Sequence, residues 1–382
     1  MDVFHREALA ADLASKVLFL APTSASGSGL FLAAPRRTGK STFLREDLRP
    51  QLEKRGALVV YVDLWEDRRA DPGDVIVNSV RAELSCHDGV LKRLARSAGM
   101  EKVTVGGMAF SLDKVGLGDG ISLSAALAAL SDETGKVIVL IVDEAQHAIT
   151  SERGNDALFA LKAARDELNS SRHKGLRVVA TGSNRDKLAM LRNSRDQAFY
   201  GAPLVSFPPL GRDYVAWFCE RVALAAPLDV DAVSALFDRA AHRPELLGSA
   251  ADALRFEFGL APAEVPERFA AAVEEQIKAS NDELLRVVHS LTPLQSAVLK
   301  VLAKRGGDYA PFEAATLRDY QAVLQAASPE GEGRADVPAV QQALIALQDK
   351  ALVWRAARGV YALEEASLAE LMRQRGLLDT VP

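Results

Sequence analysis

The sequence has few of the features that mark secreted, membrane-spanning or nucleic-acid-coating proteins. Its two cysteines, Cys86 and Cys219, lie far apart and form no CxxC pair, which excludes a disulfide framework and fits a reducing compartment. No apolar run approaches the about 18 residues of a transmembrane helix. The N-terminal segment also lacks the basic and apolar regions of a signal peptide. We therefore expect a soluble cytoplasmic protein with no membrane partner.

An excess of positive charge is also missing. The chain has 46 Lys and Arg against 51 Asp and Glu, a net charge of -5, so nucleic acid and acidic membranes exert no bulk attraction on it. Any such contact requires a local patch. The 382 residues are 48% hydrophobic and 25% charged, a globular composition with room for two or three domains.

Apolar runs alternate with helical patterns through the first half of the chain. The near-continuous Val, Ile and Leu of these runs predict strands buried on both faces, and hence an α/β fold with a five-stranded parallel sheet covered by helices on both sides. The runs are 29–34, 57–64, 136–144, 175–183 and 202–207. Between the second and third runs the pattern predicts a helix over about 72–98 and a hairpin insertion over 103–124.

The pattern changes after residue 208. Ala- and Leu-rich helices over 209–288 indicate a helical lid. Residues 289–382 then read as three helices and a hairpin around Arg358 and Gly359, the order of a winged helix-turn-helix, with Thr292 as the cap of its first helix. We expect three domains: a P-loop core (1–208), the lid (209–288) and the winged helix (289–382).

A phosphate-loop pattern follows the first predicted strand, in the segment APRRTGKST. Backbone N–H groups at a helix start attract phosphates, Lys40 can reach the β and γ phosphates, and the Ser41 hydroxyl can bind Mg²⁺. Ala34 replaces the usual first Gly, which Pro35 makes tolerable by restricting Ala34 to extended backbone. The expected nucleotide contacts are Ala34, Pro35, Arg36, Arg37, Thr38, Gly39, Lys40, Ser41 and Thr42.

Two adjacent carboxylates end the third predicted strand. A charge pair has no place in a core unless it faces a site. Asp143 is suited to hold Mg²⁺, and Glu144 to polarise the water that attacks the γ phosphate. After the fourth strand, Ser183 and Asn184 can sense that phosphate, although both serve equally well as caps of the next helix.

These motifs resemble a known family. The segments PRRTGKST, IVDEAQ and VVATGS and the opening Phe4-His5-Arg6-Glu7 are similar to the archaeal-type ATPases of the AAA+ and STAND P-loop NTPases, relatives of the origin-recognition initiators, over about residues 1–260. The resemblance implies ATP hydrolysis with Mg²⁺, a sheet with the phosphate-loop strand central, a helical lid and often a C-terminal winged helix. It also implies that Phe4 and Arg6 lie near the adenine.

The resemblance has two departures. Relatives place Gly-x-Pro at the start of a lid helix, whereas this chain has His242, Arg243 and Pro244; Arg243 and Pro244 are the implied nucleotide contacts. Relatives also tend to place Arg after a Tyr-Gly, where this chain has Ala202. An arginine finger is therefore in question, and Arg192 or Arg195 can serve as substitutes or as solvated charges.

The predicted winged helix lacks the net positive charge that favours DNA binding. Residues 281–382 hold eleven Lys and Arg against thirteen Asp and Glu, a net charge of -2, whereas DNA-binding modules usually have a basic face. Arg355 and Arg358 in the predicted wing can grip double-stranded DNA. The alternative is a module for protein contacts or for packing on the lid.

Together the motifs favour an Mg²⁺-dependent ATPase that acts as a switch, whose nucleotide state controls a winged helix acting on DNA or a protein partner. One alternative is a nucleotide-gated assembly module that hydrolyses little ATP and forms an ATP-dependent homo-oligomer. A DNA-binding regulator is the other.

Overall fold

A computed structural model of the chain describes residues 3–19, 25–67, 69–87, 122–170, 172–183, 185–327, 334–357, 359–365 and 367–382. Its internal contacts divide the chain into two units. The sheet unit comprises His5–Ala34 and Lys40–Phe207, and the helical unit comprises Met1–Phe4, Pro35–Gly39 and Pro208–Pro382. The division into three domains stays a prediction.

A five-stranded, all-parallel sheet forms the centre of the sheet unit. Its strands are β1 (Leu30–Ala33), β2 (Leu58–Asp63), β3 (Ile138–Asp143), β4 (Leu176–Gly182) and β5 (Leu204–Ser206). They are ordered β2-β3-β4-β1-β5. The predicted strands and fold class are confirmed. The phosphate-loop strand β1 lies inside the sheet, between β4 and β5, while β4 takes the middle place.

Helices supply the apolar cover of this sheet. They are α1 (Glu7–Leu18), α2 (Lys40–Thr42, Phe43–Leu48 and Arg49–Lys54), α3 (Pro72–Ser85), α4 (Leu123–Thr134), α5 (Glu152–Ser170) and α6 (Arg185–Ala189). One apolar cluster joins α1 and α2 to one set of strand side chains, and a second joins α3, α4 and α5 to the other set. Every residue of β3 is buried, which explains its continuous apolar sequence.

The helix after the phosphate loop is not regular. Its middle, Phe43–Leu48, is a π-helical turn, which inserts an extra residue into an α-helix. Pro50 follows at the start of the next regular stretch, where its missing N–H and its ring disfavour continuous α-helical bonding. The predicted helix is present, and Leu44, Leu48 and Leu52 are all fully buried.

The helical unit begins with four helices that share an apolar core. They are α7 (Arg212–Arg221), α8 (Val230–Arg239), α9 (Pro244–Arg255) and α10 (Val265–His289). Asp229 caps α8 by accepting from the N–H of Ala232 at 2.8 Å. This set occupies the stretch predicted as a lid.

A separate apolar cluster holds the C-terminal elements together. These are α11 (Pro293–Arg305), α12 (Ala314–Ala327), α13 (Val337–Asp349), β6 (Val353–Ala357), β7 (Val360–Leu363) and α14 (Ser367–Gln374). The antiparallel β6–β7 hairpin follows three helices, an order compatible with a winged helix-turn-helix. Thr292 caps α11 through the N–H of Gln295, as the sequence predicts.

Some sequence predictions fall beyond the described residues. These are residues 103–121 of the hairpin insertion predicted over 103–124 and residues 88–98 of the helix predicted over about 72–98. In the described part both predictions are wrong at one end: the helix α3 already ends at Ser85, and residues 122–124 begin α4, with Ser122 capping it, instead of forming a strand. Across the described ranges, no helix has the length and apolar character needed to cross a bilayer.

Candidate functional site

The carboxyl ends of β3 and β4 carry the polar residues of the candidate site. Parallel strands bring such ends to one edge of a sheet, where α/β proteins bind ligands. Asp143 ends β3, Gly182 ends β4, and α2 begins at Lys40 after the loop that leaves β1. Lys40, Ser41 and the acidic pair therefore all belong to the sheet unit and lie at or next to the ends of its elements.

Lys40 is a buried cation, with 5% of its side chain exposed. Its Nζ donates hydrogen bonds to Oδ1 of Asp143, to Oε1 of Glu144 at 3.1 Å and to Oγ1 of Thr181 at 3.1 Å. Buried charges of this kind persist only when they are paired and hydrogen-bonded. Lys40 meets that requirement with both carboxylates that the sequence singles out.

Asp143 is the most heavily hydrogen-bonded side chain of the site and is 1% exposed. Its Oδ1 accepts from Lys40, from Thr181 and from the N–H of Glu144 at 3.0 Å. Its Oδ2 accepts from the hydroxyls of Ser41 at 2.6 Å and Tyr61 at 3.0 Å. Burial raises the pKa of Asp143, but the Lys40 charge and these donors outweigh it and lower the pKa to about 2.

Glu144 has left-handed backbone, with φ 54° and ψ 40°, which is uncommon for a residue other than Gly. Its Oε2 accepts from Nε2 of Gln146 at 2.6 Å and from the Ser183 hydroxyl at 2.8 Å. Burial acts to raise the pKa of Glu144, but the charge of Lys40 and these donors lower it on balance. Glu144 is therefore ionised near neutral pH, as an acceptor for a water hydrogen.

The loop between β1 and α2 explains why Ala34 is acceptable. Ala34 is buried, its N–H donates to the carbonyl of Gly182 at 3.1 Å, and its φ is not positive. Left-handed backbone occurs later in the loop, at Arg37 (φ 63°) and Gly39 (φ 81°). Thr38 closes the turn by donating its hydroxyl hydrogen to the carbonyl of Pro35 at 2.7 Å. Thr42 is exposed beside Ser41.

Two arginines of the loop pair with acidic residues of the same helical unit. Arg36 donates to Glu364, just after β7, at 2.6 Å, and this pair is mostly shielded from solvent. Arg37 lies 4.0 Å from Glu245 in α9. The guanidinium groups of both loop arginines thus contact carboxylates that lie far along the chain.

The N-terminal residues Phe4 and Arg6 contact aromatic rings in their own units. Phe4 packs edge-on against Tyr214 and Trp217 of α7, with centroid distances of 5.5 and 5.7 Å. The Arg6 guanidinium lies 5.0 Å from the Phe207 ring centroid, and the Arg6 N–H donates to Asp47 at 3.0 Å. Their contact with an adenine stays a prediction.

The Gly-x-Pro position of the lid has the backbone that a glycine would favour. His242 has φ 55° where the relatives have Gly, so the left-handed conformation is retained with a side chain present. Arg243 occupies the N-cap position of α9 without a capping side-chain bond; it donates to Glu245 at 2.8 Å and to Ser280 at 3.2 Å, and Pro244 occupies the first turn. A phosphate contact of Arg243 stays a prediction.

The position at which the resemblance favours an arginine is inaccessible. Ala202 is fully buried in the core of the sheet unit, so an Arg there would have to displace packed side chains. Of the suggested substitutes, Arg192 is partly buried and donates to Asn193 at 3.0 Å, whereas Arg195 is exposed.

In the hairpin, Arg355 is exposed and lies 5.9 Å from the Tyr361 ring centroid. The aromatic side chains Trp354 and Tyr361 are each only 6% exposed, so they are packing residues and do not present a surface for DNA. Arg358 and Asn184 lie outside the described residues, and their roles stay predictions.

Three residues of the site have no role predicted from the sequence: Tyr61, which lies outside every motif, and Thr181 and Gln146, which lie within the segments VVATGS and IVDEAQ. All three donate to the acidic pair. A signal exists for each, since Tyr61 and Thr181 are polar residues near the ends of apolar strands and Gln146 follows the pair closely. What the motifs do not provide is the cross-strand register that points Tyr61 at Asp143.

The donor set fits a magnesium ion that keeps several of its waters. Among the described residues, no group of three or more His, Cys, Asp and Glu side chains could hold a metal by itself. Mg²⁺ characteristically uses one or two protein oxygens together with substrate phosphates, and the Ser41 hydroxyl and Asp143 Oδ2 are such a pair, 2.6 Å apart.

No protein-family model and no curated protein sequence matches the chain. Solved structures do. A Walker-type ATPase of Pyrococcus abyssi is 18% identical with a TM-score of 0.51, covering 97% of this chain and 96% of its own. The chain shares the fold of this structure. The ADP form of the ORC2 protein of Aeropyrum pernix is 15% identical with a TM-score of 0.53, covering 99% of this chain and 95% of its own. The fold class expected from the resemblance is thereby confirmed, whereas the central place expected for the phosphate-loop strand is wrong, since β4 and not β1 is the middle strand.

Proposed function

We propose that the chain binds ATP with Mg²⁺ and hydrolyses it. The observation that carries this proposal is the buried Lys40 between Asp143 and Glu144, directly after a phosphate-loop sequence. The three charges comprise two carboxylates and one cation, and a group of titratable side chains with shifted pKa values at the carboxyl end of a parallel sheet is typical of a functional site. The Walker-type ATPase fold supports the same conclusion.

Each residue then has a defined task. The backbone of Ala34 to Thr42 surrounds the phosphates, Lys40 neutralises the β and γ phosphates, and Ser41 and Asp143 hold Mg²⁺, which neutralises charge on the transferred phosphoryl group. Glu144 orients the attacking water, and Ser183, with Asn184 next to it, responds to the γ phosphate. The lowered pKa of Glu144 favours hydrogen-bonding and polarising the water over taking its proton outright.

Two substitutions test this assignment. Lys40→Ala should abolish binding of a fluorescent ATP analogue. Glu144→Gln should keep binding but slow ATP hydrolysis by about 100-fold or more. Glu152→Gln, on the exposed start of α5, is the control for loss of a nearby carboxylate. Unchanged turnover in Glu144→Gln, or full binding by Lys40→Ala, would refute the proposal.

We further propose that the nucleotide state is transmitted to the C-terminal hairpin. The pair between Arg36 of the phosphate loop and Glu364 next to β7 supports this idea, because phosphates compete with a carboxylate for the same guanidinium. Binding of ATP would then weaken the ion pair that joins the phosphate loop to the hairpin. Release of the hairpin would be the switch.

Hydrogen exchange tests the switch. ATP should increase exchange of amides in β6 and β7, and Glu364→Gln should show the faster exchange even without nucleotide. Glu370→Gln is the matched control, since Glu370 pairs locally with Arg373. Equal hairpin exchange with and without ATP, in a protein that binds ATP, would exclude this coupling.

Two outputs compete for the released module. Exposed Arg355 favours contact with double-stranded DNA, whereas the net charge of residues 281–382 favours a protein partner. The buried Ala202 favours a third candidate, ATP-gated assembly with little hydrolysis, because that position offers no arginine to a neighbouring subunit. Size-exclusion chromatography with and without ATP separates the candidates: an oligomer formed only with ATP supports gated assembly, and an unchanged monomer removes it.

A further inference from the structure

Tyr61 contacts the site from a strand that carries none of the sequence motifs. It lies in β2, opposite Ile141 of β3, and Asp63 lies opposite Asp143. Residues two apart on a strand share a face, so Tyr61 and Asp63 face the same side as Asp143. The Tyr61 hydroxyl reaches forward along that face and donates to Oδ2 of Asp143 at 3.0 Å.

The tyrosine ring is itself held in place. The Arg45 guanidinium, from α2, lies 4.7 Å from the Tyr61 ring centroid and donates to Asp63 at 2.8 Å. Cation–π contact and the ion pair together fix Arg45 over the ring. The phenol O–H is the donor of this contact and the carboxylate of Asp143 its acceptor.

The importance of this contact depends on which donors Asp143 keeps when ligands are bound. In the structure, Lys40 and Thr181 donate to Oδ1, while Ser41 and Tyr61 donate to Oδ2. The proposed function assigns Lys40 to the phosphates and Ser41 to the cation. Of the described side-chain donors, that leaves Thr181 on one carboxylate oxygen and Tyr61 on the other.

We propose that Tyr61 is a positioning residue for magnesium, which together with Thr181 holds the Asp143 carboxylate in orientation while Lys40 and Ser41 are engaged by ligand. The inference rests on the proposed ATP and Mg²⁺ binding. Donors behind a metal ligand commonly set both its orientation and its affinity for the metal. Neither Tyr61 nor Arg45 touches the nucleotide in this scheme; each acts through Asp143.

The test is the Mg²⁺ dependence of nucleotide affinity in Tyr61→Phe, which removes one hydroxyl and keeps the ring. A fluorescent ADP analogue is titrated at a series of Mg²⁺ concentrations and in EDTA. The Mg²⁺ concentration at half of the affinity gain should rise about 10-fold, while affinity in EDTA stays as in the wild type. Tyr320→Phe is the matched control, because it removes another buried tyrosine hydroxyl, one bonded to Tyr309 in the helical unit.

The possible failures are distinct. If the wild type binds no nucleotide, the proposed function is wrong. If Tyr61→Phe has wild-type Mg²⁺ dependence, or loses affinity equally in Mg²⁺ and in EDTA, the positioning role is wrong. If Tyr61→Phe folds poorly, Arg45→Met provides a second variant, because the Arg45 side chain is half-exposed. Arg45→Met should raise the required Mg²⁺ concentration by a smaller factor. No change in the Mg²⁺ requirement would contradict the inference.

Discussion

The two units handle charge in opposite ways. Among the described residues, the sheet unit buries five charged side chains, and they are Lys40, Asp47, Asp143, Arg165 and Lys187. In its described part, the helical unit buries no charged side chain, although it buries uncharged polar ones such as Thr38 and Thr316. Buried charge is costly unless paired, and two of the five, Lys40 and Asp143, pair with each other in the candidate site. The charged side chains described in the helical unit all keep some exposure to solvent, even in the partly shielded pair of Arg36 and Glu364.

The largest expected effect is the loss of the buried cation. Lys40→Met leaves Asp143 and Glu144 close together without the ammonium, which should lower the free energy of unfolding by about 3–5 kcal/mol near neutral pH. The comparison variant is Arg212→Met, which breaks the exposed 2.6 Å pair with Asp231 and should cost less than about 1 kcal/mol. Denaturant unfolding without nucleotide measures both. Equal losses would remove the distinction between the units.

Acid should act on the sheet unit through Asp143. Its folded pKa, about 2, lies below the usual aspartate value of about 4. A depressed pKa contributes stability that is fully present above pH about 4 and is lost as the pH falls toward about 2. Over this interval the wild type should lose about 2 kcal/mol more unfolding free energy than Asp143→Asn.

The matched variant for the acid experiment is Asp231→Asn, at an exposed aspartate of the helical unit. It should follow the wild-type pH profile. If Asp143→Asn also follows that profile, the ionised state of Asp143 does not stabilise the fold.

A smaller effect is expected at the surface of the helical unit. If the hairpin binds double-stranded DNA, Arg355→Ala should weaken binding and reduce the slope of log affinity against log salt by about 1. Arg373→Ala, at another exposed arginine, should change neither. If no duplex binding is found at low salt, DNA binding by the hairpin is excluded, and a protein partner becomes the favoured role of these surface charges.

The smallest effect concerns His5, which is half-exposed and bonded to the buried Asp47 at 2.7 Å. This hydrogen bond is the main cause that raises the pKa of His5. A raised pKa contributes stability below pH about 6.5, which is lost as the pH rises through the folded pKa. His5→Gln should therefore lower the melting temperature at pH about 6 more than at pH about 8.5. The exposed His289→Gln serves as control, and a pH-independent effect of His5→Gln would refute the assignment.

Sequence patterns predict the sheet well because its strands are buried on both faces and are therefore almost continuously apolar. They also identify Lys40, Ser41, Asp143 and Glu144, since a phosphate loop and an acidic strand end have fixed local spacing. Tyr61 escapes such patterns because its partner is set by strand register and not by spacing along the chain.

Ala34 shows that the first position of a phosphate loop need not be glycine. The backbone of Ala34 is not left-handed, and its N–H donates to the carbonyl of Gly182. The position therefore requires a small side chain but does not require the backbone conformations that only glycine adopts easily. The demand for a left-handed backbone falls on Arg37 and Gly39. A search pattern written in backbone regions instead of residue letters would accept this loop, and it would also accept chains in which serine or cysteine takes the first place.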